Sequence, residues 1–199
     1  LIDVTLLSQC NHFHIMGSSL FSFRMIEAMH KAIEIVKQNQ GTVSFDPNIR
    51  KEMLNIPEME QAFDYILEYT DIFLPSESEI SHFSSSKHQS EASVIQELLN
   101  HGIAHVVVKR GPQGASHYQM TAGSLHELHV KGSGGEVIDP TGAGDCFGAT
   151  FVSLLLAGYP IRQALEFANA SGAIAVSSKG PMEGLSSLTQ LNKFLSVSG

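Results

Sequence analysis

Asp139-Pro-Thr-Gly-Ala-Gly-Asp145 runs directly into Cys146-Phe-Gly-Ala-Thr-Phe-Val-Ser-Leu-Leu-Leu156, and the join between them decides how the chain folds. The first stretch is a glycine turn. The second is an apolar helix pattern that Gly158 stops, so the turn opens onto a helix N-terminus. A helix leaves its first four N–H groups without intrahelical partners, and the macrodipole adds partial positive charge there. Such an end binds anions, and Gly142 and Gly144 let the backbone approach a ligand that a Cβ would block. Asp145 is out of place in an anion cradle unless it has chemistry to do. The fitting chemistry is taking a proton from a hydroxyl that attacks phosphorus. An early-turn acid favoured only by the dipole is the plain alternative, and it leaves the flanking glycines unexplained.

Upstream of this turn, strand and helix patterns alternate. Residues 12–16 read as a strand, 24–40 as a helix stopped by Gly41, and 42–45 as a second strand. A helix over 58–69 precedes a strand over 71–74 and the turn Pro75-Ser76. Ser90 caps a helix bearing Val94, Ile95, Leu98 and Leu99 that Gly102 closes, and His105-Val-Val-Val-Lys109 is a β-branched strand suited to burial on both faces. Residues 115–120 and 125–130 alternate as an antiparallel pair joined near Ala122-Gly123. Three helices follow, over 146–157, 161–177 and 188–195, the last capped by Ser187. Repeated strand–helix–strand units predict an α/β domain over 1–199 with a largely parallel sheet covered on both faces. Ligands of such sheets sit outside the carboxyl ends of the strands, where Asp46–Arg50, Pro75–Glu79, Lys109–Gly114 and Asp139–Asp145 all fall in the pattern.

Composition narrows the class. Of 199 residues, 43% are hydrophobic, enough for a packed core, and the net charge of −8 argues against a general nucleic-acid binder. The longest apolar run is too short to span a bilayer, which predicts no membrane association. Cys10 and Cys146 are too few and too far apart for a disulfide framework, and the expected location is cytoplasmic. The chain opens on Leu1 and enters strand-like sequence soon after, so we read it as the latter part of a longer protein. It lacks Gly-x-x-x-x-Gly-Lys-[Ser/Thr] and a complete Gly-x-Gly-x-x-Gly, which argues against a P-loop ATPase and a dinucleotide oxidoreductase. Ten histidines raise the question of a metal site, but His12-x-His14 has no Cys or carboxylate at ligand spacing. Cys146, beside Asp145, reads as a small packing residue.

Four motifs in order carry a resemblance: Asp46-Pro-Asn-Ile-Arg50, Ser76-Glu-Ser-Glu79, Lys109-Arg-Gly-Pro-Gln-Gly114 and the Asp139–Asp145 turn. The chain resembles the C-terminal two-thirds of a ribokinase-like (pfkB-type) carbohydrate kinase. That resemblance implies a ribokinase-like three-layer α/β sandwich whose N-terminal strands and lid lie outside this sequence. It implies Asp145 as catalytic base that also meets the substrate, with Gly142, Ala143 and Gly144 as the anion hole. Asn48, Lys109, Gly111, Gly114 and Asn169 would bind ATP, although Asn169 could equally serve as a buried cap or kink residue. Arg50 would face the substrate, where a guanidinium fork suits a carboxylate or phosphate. Glu79 would hold the water shell of Mg²⁺, with Glu77 as a competing choice and Ser76 standing where the family pattern has Asn. Asp139 and Thr141, with the 173–180 stretch, would form a monovalent-cation site for K⁺.

The implied reaction is transfer of the ATP γ-phosphate to a hydroxyl of a small sugar or sugar acid. Within the family the motifs most resemble 2-keto-3-deoxygluconate kinases, with fructokinase or another ketose kinase such as a tagatose kinase as the runner-up. A different class stays open: a catalytically incompetent nucleotide-binding fragment, since substrate closure under a lid excludes water from phosphoryl transfer. Many members of the family dimerise through the lid, so the resemblance leaves a homo-oligomeric full-length parent open.

Overall fold

The computed structural model describes residues 2–50, 53, 56–84, 86 and 89–198. A short helix α1 (Val4–Leu7) leads into β1 (His12–Met16), followed by α2 (Phe23–Gln38), β2 (Thr42–Asp46), α3 (Pro57–Glu68), β3 (Ile72–Phe73), α4 (Glu91–Asn100) and β4 (His105–Lys109). A hairpin of β5 (Ala115–Thr121) and β6 (Ser124–Val130) comes next, then α5 (Ala143–Leu156), α6 (Ile161–Val176) and α7 (Leu188–Ser198). The six strands form one sheet in sequence order, and β1 through β4 are parallel. The α/β class and the largely parallel sheet are as the sequence predicts. The alternation did not reveal α1, and β3 is shorter than the strand expected over 71–74.

The described residues divide into two compact units. The first comprises 1–108 with 118–126, and the second 109–117 with 127–199. In the first, successive parallel strands are joined by α2, α3 and α4. Phe13, Ile15, Val43, Phe45, Phe73, Val106 and Val108 meet Ile33, Met59, Phe63, Ile66, Val94, Ile95 and Leu98 in one apolar core. The register places His12 and His14 opposite Thr42 and Ser44 on the other face of β1 and β2. There the apolar alternation gives way to a hydrogen-bonded ladder. His12 Nδ1 meets Thr42 Oγ1 at 2.7 Å, and Ser44 Oγ lies 2.8 Å from His12 Nε2 and 2.7 Å from His14 Nδ1. Ser44 is fully buried, so these rings supply the partners that burial demands.

Helix ends follow their capping chemistry. Ser22 and Ser90 accept from Met25 and Ser93 N–H groups at the starts of α2 and α4. Ser187 and Gln190 exchange bonds at the start of α7 as a capping box. At the end of α5 the Gly158 N–H reaches Leu155 O and the Tyr159 N–H reaches Leu154 O, a Schellman closure. The end of α2 departs from expectation. The left-handed residue there is Gln40 (φ 60°), not Gly41. Gly41 is needed instead because a Cβ would stand 2.6 Å from Val36 Cγ1.

Candidate active site

In the second unit, Gly142 takes a left-handed conformation (φ 81°) as the N-cap of α5, and a Cβ there would lie 2.6 Å from Pro181 O. The turn thus requires glycine on two counts. No side chain caps the helix, and the N–H groups of Gly142, Gly144 and Asp145 have no hydrogen-bond partner among the described residues. The Ala143 N–H makes one long bond, 3.3 Å, to Pro140 O. The open amides of the turn therefore include that of Asp145 itself. The Lys109 ammonium stands beside them: a Cβ on Gly144 would come within 3.7 Å of its Nζ. Asp145, in the first turn of α5, is exposed. Cys146 behind it is buried, and burial together with the Asp145 charge pushes its thiol above the usual range. A raised pKa disfavours the nucleophilic thiolate, in keeping with a packing role.

A cavity of about 370 Å³ adjoins this turn, lined by Lys109, Gly111, Pro112, Gly114, Gly132, Val137, Ala143, Gly144, Phe147, Asn169, Gly172 and Val176 among others. That is within the range of ligand pockets. One wall is backbone against backbone. A Cβ on Gly114 (φ 99°) would sit 2.0 Å from Val130 O, and one on Gly132 would sit 2.3 Å from Pro112 O. Asn169, nearly buried on α6, fixes this wall by donating from Nδ2 to the carbonyls of Val130 and Lys131, each at 3.1 Å. Asn169 is itself part of the cavity lining. Val137 belongs to none of the motifs, and only the fold brings it to the cavity. A mostly apolar chamber ending in open amides and an ammonium fits the base and phosphates of a nucleotide.

Asp139 is half-buried and accepts from the Thr141 N–H (2.9 Å) and the Gly180 N–H (3.0 Å). The Thr141 hydroxyl and N–H, with the Gly180 N–H, hold its carboxyl below the usual range. This stitches the turn to the 173–180 stretch, as do the bonds from Ile138 and Asp139 N–H groups to Val176 O.

In the first unit, the turns after β1, β2 and β3 meet. Asn48 has φ 38°, its N–H bonds Asp46 Oδ1 at 3.2 Å, and its Nδ2 donates to Ser18 Oγ at 3.1 Å. Glu79 is buried at 9% exposure and accepts from the Ile49 N–H (2.6 Å), the Ser76 N–H (2.7 Å) and the Ser76 hydroxyl (2.7 Å). Arg50 is exposed and Glu77 lies on the solvent side of the same turn. Among the described residues no three His, Cys, Asp or Glu side chains are grouped to hold a metal directly. No helix there is long and apolar enough to cross a membrane.

Comparison with known proteins finds relatives along nearly the whole chain. The chain is 31% identical over 195 residues to the probable fructokinase-6, chloroplastic, of Arabidopsis thaliana, covering 92% of this chain and 49% of the relative. It is 29% identical over 193 residues to the 2-dehydro-3-deoxygluconokinase of Bacillus subtilis, covering 95% and 58%. An E. coli protein called ribokinase II, solved in complex with ATP and Mg²⁺, superposes with a TM-score of 0.91 at 48% identity, covering 98% of this chain and 62% of that one. The chain thus spans between 49% and 62% of the length of these relatives and shares the ribokinase-like α/β fold. The model of the pfkB family carbohydrate kinases matches residues 2–188, and the chain belongs to that family.

Proposed function

We propose that the chain is the nucleotide-binding and phosphoryl-transfer part of a cytoplasmic, ATP-dependent kinase for a sugar or sugar acid. The observation that carries this reading is the N-terminus of α5. Three open amides, the Lys109 ammonium and the Asp145 carboxylate stand together there, at the mouth of a cavity of nucleotide size. ATP, when bound, supplies the phosphoryl group and Mg²⁺ neutralises its charge. Asp145 takes the proton of the substrate hydroxyl. The N–H groups of Gly142, Ala143 and Gly144, together with that of Asp145, hold the negative oxygens, and Lys109 adds a fixed positive charge. Gly111, Gly114 and Asn169 shape the nucleotide wall, and Asn48 takes a phosphate oxygen. Glu79 has about four lone-pair sites and uses three, leaving one for a water of the Mg²⁺ shell. Asp139 and Thr141 hold the turn for K⁺. Arg50 reads the substrate, and its fork favours a sugar acid, 2-keto-3-deoxygluconate, over fructose or another ketose such as tagatose.

Calorimetry with Mg-ATP, paired with a phosphoryl-transfer assay over sugar acids and neutral ketoses, tests the reading. Asp145→Asn should keep nucleotide binding and lose about 10²–10⁴ of the turnover measured with the wild type. Near-normal turnover would remove Asp145 as base, and preference for a neutral ketose would overturn the sugar-acid assignment. Because the chain spans at most 62% of the relatives above, a second reading has support: it binds nucleotide without turnover. Binding with no product from any sugar would favour that reading.

A further inference from the structure

We propose that Glu79 is a positioning residue: through the Ile49 N–H it holds Asn48 in its left-handed conformation, and Ser76 locks it in that task. The inference rests on the kinase reading for the role of Asn48, but the clamp itself stands on the geometry of the first unit. Asn48 sits at φ 38°, a conformation that costs a non-glycine residue energy, although Asn tolerates it better than most. Something must hold it. The Asp46 carboxylate grips the Asn48 N–H from before the turn, and Glu79 Oε1 grips the next N–H, that of Ile49, from across the sheet. The Asn48 side chain is tied to Ser18 Oγ on the turn after β1. Gly17 beside it has no room for a Cβ, which would lie 2.0 Å from Pro47 O.

Ser76 completes the device. Its N–H and its hydroxyl both donate to Glu79 Oε2, while the Glu79 N–H returns a bond to Ser76 O at 3.0 Å. The carboxylate is therefore held by charge-assisted bonds on both oxygens, aimed at Ile49 rather than at solvent. Ser76 supplies a short hydroxyl donor to the neighbouring acid, and Glu79 ties the turn after β3 to the turn after β2.

Three readouts on the intact chain decide the matter. Amide hydrogen exchange should show the Ile49 N–H protected in the wild type. It should exchange at least roughly tenfold faster in Glu79→Gln, with Val43 and Phe45 unchanged, and fall between the two in Ser76→Ala. Mg-ATP affinity should fall roughly tenfold in Glu79→Gln and stay low at saturating Mg²⁺. Adding Glu79→Gln to Asn48→Ala should cost no further affinity, because Glu79 acts through Asn48. Unchanged Ile49 exchange overturns the clamp. Additive losses, or a defect that vanishes at high Mg²⁺, return Glu79 to a metal role alone. Failure of the wild type to bind Mg-ATP would count against the kinase reading instead, and the exchange experiment would then judge the clamp by itself.

Discussion

At the scale of single residues, the glycines of the α5 turn separate folding from function. Gly142 is left-handed, and a Cβ there meets Pro181 O at 2.6 Å, so Gly142→Ala should destabilise the protein by about 1–3 kcal/mol in urea unfolding. Gly144 differs. It is helical, and its Cβ would make only ordinary contact, 3.7 Å from Lys109 Nζ. Gly144→Ala should therefore fold normally, with stability unchanged or higher by up to about 1 kcal/mol. The added methyl would stand against the ammonium at the open end of the helix, so Mg-ATP affinity should drop at least roughly tenfold by calorimetry. Loss of stability without loss of affinity would show that the glycine serves packing alone. The motif identified both glycines, but their division of labour depends on Pro181 and Lys109, which lie far away in sequence.

Secondary-structure elements were legible where one local force set them. The Val-Val-Val run of β4, the serine caps of α4 and α7 and the Ala122-Gly123 hairpin turn, both residues at positive φ, came straight from local chemistry. Helix ends were less legible because glycine can be demanded by conformation or by space. At the end of α2 the two demands fall on neighbours: Gln40 carries the left-handed φ and Gly41 makes room for Val36. This sets a paired prediction. Gln40→Gly should raise stability by about 1 kcal/mol by relieving the backbone, a shift readable in the urea midpoint. Gly41→Ala should lower it by about 1–3 kcal/mol, through the clash with Val36 Cγ1. Destabilisation by Gln40→Gly would mean that the Gln40 side chain contributes more than its backbone costs.

For the whole molecule, the sheet order and the motif order were legible because both follow from alternation along the chain. The His-Ser-His ladder was not, because period-two patterning assigns a face but not its chemistry. His12 and His14 could be read only as sharing a face until Ser44 was found buried beneath them. Buried histidines give the first unit a pH dependence. Burial, the largest cause in each case, holds His12, His30 and His105 below the usual histidine range. Asp71 opposes it at His12 and His105, Lys37 reinforces it at His12, and Glu34 opposes it at His30. The unfolded chain takes up these protons near pH 6.5, whereas the folded chain takes them up only at lower pH. Above that value neither state is protonated, and the stabilisation is fully present. As pH falls from about 7 toward 5, the unfolded state binds protons that the folded state refuses, so stability falls until the folded pKa values are passed and the slope flattens. The urea midpoint should therefore decline across this window, and His12→Gln combined with His105→Gln should make the decline shallower. An equally steep decline in the double variant would place the titrating groups elsewhere, with His30 the first to test, because its buried Nε2 has no hydrogen-bond partner.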